Sequence, residues 1–208
     1  MLASWCPVCN TAGMRKIILA SSSPRRKEIF EKSGIHFSIE ESGYKEDLTL
    51  KLKPCALAEY LALKKAERVA SRHKDGLVIG ADTIVVLGNK ILGKPRDERD
   101  AAEILRQLSG KINIVITGIA IMDSKSGKKI PRSEETKVHF KELTDKDISE
   151  YVNTGEPIGK AGAYAVQGLG GHLIKKIDGD FWNAMGLPID LLLKELAKFG
   201  VRGYTRTH

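Results

Sequence analysis

Hydrophobic and polar positions change period several times along the chain, and each change marks an element. Ile17-Ile18-Leu19-Ala20 is a short unbroken apolar run that reads as a buried strand. Ser21-Ser22-Ser23 follows as a tight loop, and Ser23-Pro24 opens a helix that runs to about Ser33 and stops at Gly34. Ser23 is suited to cap the orphan N–H groups, and Pro24 fits the first helical position because its missing donor is not needed there. His36 to Ile39 is a further strand candidate, and Ser42 to Leu52 reads as a charged loop. From Cys55 to about His73, apolar Leu57, Tyr60, Leu61, Leu63 and Val69 trace a helix whose other positions include Lys64, Lys65 and Arg68.

The most strand-like run is Leu77 to Val86, interrupted only by Gly80-Ala81-Asp82-Thr83. Gly88-Asn89 beside it is a two-residue hairpin turn, with Lys90-Ile91-Leu92 returning. Asp97, with Asp100 three positions on, starts a helix whose stripe is Ala101, Ile104, Leu105 and Leu108 and which Gly110 closes. Ile112, Ile114 and Ile116 alternate on one face of a strand reaching about Met122, and Thr136, Val138 and Phe140 alternate in another. Thr144 and Asp147 start a short helix ending near Gly155. Ala161 to Gly171 is glycine-rich, His172 to Ile177 is strand-like, and Asp178-Gly179 reads as a hairpin turn. A last helix begins at Pro188, carries Ile189, Leu192, Leu193, Leu196 and Phe199, and ends at Gly200. Helices alternating with strands, some joined by hairpins, predict an α/β fold on a mixed sheet. Residues 1–13 read as a loosely attached tail and 14–208 as one domain.

Composition narrows the function classes. Of 208 residues, 42% are hydrophobic, enough for a core, yet no run approaches the ~18 apolar residues a membrane span needs. No secretory signal pattern opens the chain, and three cysteines cannot all pair within it, so a reducing, cytoplasmic setting is expected. Cys6-Pro7-Val8-Cys9 has redox or half-zinc spacing, but no second Cys/His pair accompanies it and no strand precedes it. The net charge of +8 attracts polyanions mildly; with aromatics at 6%, stacking platforms for single strands are scarce and nucleic acid is not the expected partner.

Three stretches carry chemistry. The serine loop, the helix N-terminus and the guanidinium forks of Arg25 and Arg26 form an anion site, most naturally for phosphate; the alternative is solvated arginines on an ordinary helix. Asp82 stands in an apolar strand, where an ionised carboxylate needs a partner or a metal, and small Gly80 and Ala81 beside it suit a ligand approaching the backbone. It reads as a general base or metal-holding carboxylate, against the alternative of a strand-end aspartate capping a turn. Lys94 in Gly93-Lys94-Pro95 ends the hairpin after Asp82, near the same sheet edge, with a solvated loop lysine as the alternative; Glu46 and Glu156 are loop carboxylates that are candidates to share a metal with Asp82, the alternative being ordinary surface residues. No Walker loop, dinucleotide fingerprint, zinc spacing or Gly-x-Ser-x-Gly elbow occurs. The set points to metal-assisted chemistry on a phosphorylated small molecule without choosing the bond.

The order of motifs adds a resemblance. Ala20-Ser21-Ser22-Ser23-Pro24-Arg25-Arg26, Gly80-Ala81-Asp82-Thr83, Gly93-Lys94-Pro95, Leu108-Ser109-Gly110, Thr117-Gly118, Glu135-Thr136-Lys137-Val138, Gly155-Glu156-Pro157, Lys160-Ala161-Gly162-Ala163-Tyr164 and Gly186-Leu187-Pro188 together resemble the Maf family of nucleoside triphosphate pyrophosphatases. The resemblance implies an ITPase-like, two-lobed α/β architecture around a central cleft, often as a homodimer. It also implies hydrolysis between the α and β phosphates with a divalent cation, Mg²⁺ or Mn²⁺. By motif, Asp82 is the proton acceptor, Ser21, Arg25 and Arg26 bind phosphate, Lys65 and Lys94 line the cleft, and Glu46 holds metal with Asp82. Arg25, Thr83 and Gln167 match the subgroup acting on dTTP and UTP rather than the sister group acting on methylated guanosine triphosphate. The alternatives are another modified or non-canonical triphosphate, or a non-enzymatic nucleotide- or nucleic-acid-binding regulator. Asn113, Gly159 and Lys45 depart from the family pattern, where His, Asp and an acidic residue are common.

Overall fold

The computed structural model describes residues 15–204, so the expected tail and Cys6 and Cys9 lie outside the described residues. Seven strands form one sheet: β1 (Ile17–Ala20), β2 (Ser38–Ile39), β3 (Leu77–Leu87), β4 (Lys90–Leu92), β5 (Ile112–Asp123), β6 (Lys129–Phe140) and β7 (Ile174–Asp178). Their order is β2-β1-β3-β5-β6-β7, with β4 on β3. β1 runs parallel to β2 and β3, and every other pairing is antiparallel, so the sheet is mixed as the hairpins predicted. The helices are α1 (Pro24–Glu31), α2 (Pro54–Ala70), α3 (Glu98–Leu108), α4 (Asp145–Asn153), α5 (Phe181–Met185) and α6 (Ile189–Ala197). No helix among the described residues is long and apolar enough to cross a membrane.

Helix α2 covers one face of the sheet, lying across β3, β5 and β6, with Tyr44, Leu48 and Leu50 of the preceding loop packed beside it. It comes close because two strand positions lack a Cβ. At Gly80 a Cβ would sit 2.1 Å from the Ala62 carbonyl oxygen, and at Gly118 2.2 Å from the Ala58 carbonyl. Gly80 is thus required by the helix above it, which corrects its reading as an opening for ligand. The buried stripe of α2 is Leu57, Ala58, Leu61, Ala62, Lys65, Ala66, Val69 and Ala70. Lys65 therefore belongs to the sheet-facing stripe, not with half-buried Lys64 and exposed Arg68 on the polar side.

The other face carries the larger core, built from Leu19, Phe30, Ile79, Leu105, Val115, Ile119, Phe140, Leu187 and Leu192 among others, under α1 and α3–α6. Because both faces of β5 are covered, its isoleucine alternation does not mark the buried side: Ile112 is exposed, while Asn113, Val115 and Thr117 on the opposite face are buried. Thr144 and Asp147 close the capping box expected for α4. Asp97 caps α3, but the Asp100 carboxylate accepts from the Arg96 amide instead of closing a box.

The segment after β7 departs from expectation. Asp178-Gly179 is not a hairpin turn but leads to Asp180, which caps the five-residue helix α5, ended by Gly186 at φ 114°. α5 is pinned by Asn183, fully buried against β5 and β6. Its Oδ1 accepts from the Thr117 amide at 3.2 Å, and its Nδ2 donates to the Val115 carbonyl at 3.2 Å and to Thr136 Oγ1 at 2.8 Å. Asn183→Ala strands these groups in a dry interior, at about 1–3 kcal/mol for each left unpaired. A fall of about 3 kcal/mol in unfolding free energy, read by urea titration, is the expected result.

Candidate active site

The site lies where β3 loses a neighbour. β1 pairs with β3 over Leu77–Gly80, β4 pairs with the same edge over Val85–Leu87, and β5 runs along the other edge. Residues 81–84 are left with one edge that none of the described strands covers. Strand alternation sends Asp82 toward α2 and Thr83 to the opposite face, yet at an open edge both reach the same space. Into this gap runs the loop at the carboxyl end of β1, the position where α/β sheets commonly hold ligands. The cleft measures about 620 Å³, and its walls include Ser21–Arg26, Glu41–Tyr44, Glu46, Lys65, Asp82, Thr83, Lys94, Ile158–Ala161, Tyr164 and Ala184–Gly186.

On the α2 side four charges meet. Asp82 is 3% exposed and bonds the ammonium of Lys65, which also donates to Glu46 Oε1 at 2.6 Å. Lys94 Nζ reaches Glu46 Oε2 at 3.3 Å from the end of the β3–β4 hairpin. Burial pushes the Asp82 carboxyl above the ordinary range; the Glu46 charge adds to this, while the Lys65 and Arg26 cations oppose it. Burial acts the same way on Glu46, but there Lys65 and Lys94 together prevail and hold it down at about 2.

On the other side the arginine pair divides its work. Arg26 is fixed by the protein: Nε donates to the Gly186 carbonyl at 2.8 Å, Nη2 to Thr83 Oγ1 at 3.0 Å, and Nη1 approaches Ser21 Oγ at 3.5 Å. Thr83 Oγ1 is in turn 3.0 Å from Thr117 Oγ1. Burial lowers the Arg26 pKa, opposed by Asp82 and Glu46, and a guanidinium stays charged there regardless. Arg25 is partly buried on the cleft wall; burial lowers its pKa, and the charge of Glu156 opposes that. Ser23 caps α1 as expected, accepting from the Arg26 amide, and Ser21 Oγ accepts from the Ser23 amide at 3.2 Å.

The structure thus gathers Ser21, Arg25, Arg26, Glu46, Lys65, Asp82, Thr83 and Lys94 around one cleft. Gln167 is exposed and not on its wall, and Glu156 shares nothing with Asp82: its carboxylate accepts the amides of Leu169 and Gly170. The Gly186 carbonyl that holds Arg26 is absent from the sequence reading, although Asp180 six residues before Gly186 is a cap-to-cap signature for α5. Of the departures, Asn113 accepts from the cleft-lining Tyr164 hydroxyl at 2.8 Å and donates to the Val138 carbonyl, so it sits behind the wall. Gly159 is on the wall, and Lys45 is exposed beside Glu46.

Among the described residues no group of three or more His, Cys, Asp and Glu converges as a metal cage. Asp82 and Glu46 do converge on one cationic point, now the Lys65 ammonium. Two carboxylates and an open cleft fit a hard divalent cation such as Mg²⁺, which usually takes one or two carboxylates and completes its shell with phosphates and water.

A Maf-like protein family model matches residues 16–199. A protein of Pelotomaculum thermopropionicum named dTTP/UTP pyrophosphatase is 48% identical over 90% of this chain and 98% of its own length. Proteins of the same name from Desulforamulus reducens and Bacillus cereus are 47% and 45% identical, again over 90% of this chain and 98% and 97% of theirs. With the match spanning both walls of the cleft and every strand of the sheet, the chain belongs to the Maf family.

Proposed function

We propose that this protein hydrolyses dTTP and UTP to the monophosphate and pyrophosphate. One observation carries the reading: the Asp82 carboxylate and the Ser21–Arg26 loop, distant in sequence, face each other across one cleft. The relatives' shared name supplies the substrate class. Asp82 accepts a proton from a water that attacks the α-phosphorus; the Pα–O–Pβ bridge breaks, and its electron pair leaves with pyrophosphate. Arg25, Arg26, Lys65 and Lys94 face the charge that builds on the phosphate oxygens, and preorganised groups of this kind are commonly worth about 10²–10³ in rate each. Ser21 and the first amides of α1 receive phosphate oxygens. Asp82 and Glu46 would hold Mg²⁺ or Mn²⁺, which supplies charge neutralisation and alignment of the phosphates.

The test is pyrophosphate release from a panel of triphosphates with Mg²⁺ or Mn²⁺, run in ¹⁸O-labelled water. Preference for dTTP and UTP, with the label in the monophosphate, is expected. Label in pyrophosphate or in orthophosphate would place the attack elsewhere and contradict the reading.

The pH dependence follows from the two carboxylates. Asp82 works as a base only when ionised, and its raised pKa places the acid limb of kcat/KM above the ~3.9 of an ordinary aspartate. Stability moves with opposite signs at the two sites. Asp82 binds its proton more tightly folded than unfolded, so its contribution is full at low pH and lost as pH rises through its folded pKa. Glu46 contributes above its unfolded value of 4.5 and loses that as pH falls toward about 2. A pH–rate profile with the limb at or below ~3.9 would remove Asp82 from the base role.

A further inference from the structure

We infer that Thr117 is a positioning residue: its hydroxyl turns the Thr83 hydroxyl so that Thr83 receives Arg26 and fixes that guanidinium in the cleft. The inference deepens the proposed nucleotide site and rests on it. Thr117 is fully buried on β5, directly across from Thr83 in the β3–β5 register. It is not on the cleft wall, so it acts on a ligand only through its neighbours. Arg26 Nη2 is 3.0 Å from Thr83 Oγ1, Thr83 Oγ1 is 3.0 Å from Thr117 Oγ1, and Thr117 Oγ1 is 2.9 Å from the Asn183 carbonyl oxygen. Counting hydrogens fixes the direction of each bond. A carbonyl only accepts, so the single hydroxyl hydrogen of Thr117 goes to Asn183. Thr83 must then donate to Thr117, which has no hydrogen left to give. A guanidinium only donates, so Thr83 accepts from Arg26.

The chain therefore has one sense, from Arg26 to α5, and Thr117 is the link that sets it. Without its oxygen, the Thr83 hydrogen has no acceptor among these groups and is free to turn toward the guanidinium, donor against donor. The same short helix closes the other side of Arg26. Nε donates to the Gly186 carbonyl at 2.8 Å, and a Cβ on Gly186 would lie 3.4 Å from Thr83 Oγ1 and 3.8 Å from Arg26 Nε. These contacts spend Nε and one Nη2 hydrogen, leaving donors on Nη1 and Nη2 for phosphate oxygens. Deleting the Thr117 hydroxyl strands no backbone group. The Asn183 carbonyl still accepts from the Gly186 amide at 2.9 Å, and the Thr117 amide still donates to Asn183 Oδ1 at 3.2 Å.

Binding of an α,β-imido analogue of dTTP with Mg²⁺, measured by calorimetry, tests this without relying on turnover. Thr117→Val keeps the shape of the side chain and deletes the hydroxyl; it should weaken binding about fivefold, the size of one neutral hydrogen bond. Thr117→Ser restores the hydroxyl and should bind within about twofold of wild type. Thr83→Val should show the loss by itself, and adding Thr117→Val to it should cost less than about a further twofold. Binding by Thr117→Val within about twofold of wild type, even with a lowered melting temperature, would make Thr117 merely structural and overturn the inference. Failure of serine to rescue, or losses that add in the double variant, would overturn it too. Should Thr117→Val fail to fold, Thr117→Ala, which places no γ-methyl beside the Asn183 carbonyl, takes its place; if neither folds, Thr117 is structural and the inference falls. If wild type binds the analogue and shows this coupling but releases no pyrophosphate from any triphosphate, the positioning role stands and the pyrophosphatase reading falls. If the coupling is absent while dTTP is cleaved, the inference falls alone. If wild type does not bind the analogue, the inference falls, and the reading falls with it only where no triphosphate is cleaved.

Discussion

Asp82→Asn is expected to lower kcat for dTTP by about 10³-fold, within the 10²–10⁴ range for loss of a positioned general base, while the protein remains folded. Asparagine keeps the shape of the side chain, and Lys65 retains Glu46 at 2.6 Å, so no buried cation is orphaned. The variant also removes a carboxylate that burial already disfavours in its charged form, so its melting temperature should stay within about 5 °C of wild type. Steady-state kinetics with calorimetry separates the outcomes. A variant retaining more than a tenth of kcat would leave Asp82 as a structural partner of Lys65.

Gly80→Ala and Gly118→Ala should each cost about 3 kcal/mol or more, at the upper end of the range for overpacking a core. The added methyl meets backbone and not a yielding side chain: the Ala62 carbonyl oxygen at 2.1 Å from position 80, and the Ala58 carbonyl at 2.2 Å from position 118. Only a shift of α2 off the sheet relieves either clash, and α2 carries Lys65. Loss of stability should therefore come with loss of kcat, although neither glycine side faces the cleft. Denaturant titration and kinetics on the same preparations check the pair. A folded variant with wild-type stability at either position would mean that α2 does not sit this close.

Much of the site was legible because its signals are local. Ser21 to Arg26 combine a strand end, a cap and two cations within six residues, and Asp82 is conspicuous as the sole charge in an apolar run. The capping box at Thr144 and the hairpin at Gly88 are equally local, and both are present. What failed was non-local. Lys65 sits at a position that a helical wheel with Leu57 and Leu61 places on the buried side, but a charged residue is not read as part of an apolar stripe, and the carboxylates it meets are what hold it there. The Ile112–Ile116 alternation marks one face of β5 but cannot show that α2 and the main core cover both. Asp178-Gly179 has the composition of a hairpin turn, but among the described residues β7 pairs with β6 alone and no later strand pairs back. The open edge of β3 is the least readable feature, since it depends on where β1 stops and β4 begins, two lengths set by different neighbours.

The proposed chemistry depends on that open edge: adjacent residues pointing to opposite faces, Asp82 and Thr83, both line one cleft. A crystal structure of the Asp82→Asn variant with dTTP and Mg²⁺ measures this directly. The β and γ phosphates should rest against Ser21, Arg25 and Arg26, with the α-phosphorus one water away from the side chain at position 82. A triphosphate bound in the reverse sense, with its γ end at position 82, or held away from the β3 edge, would contradict it.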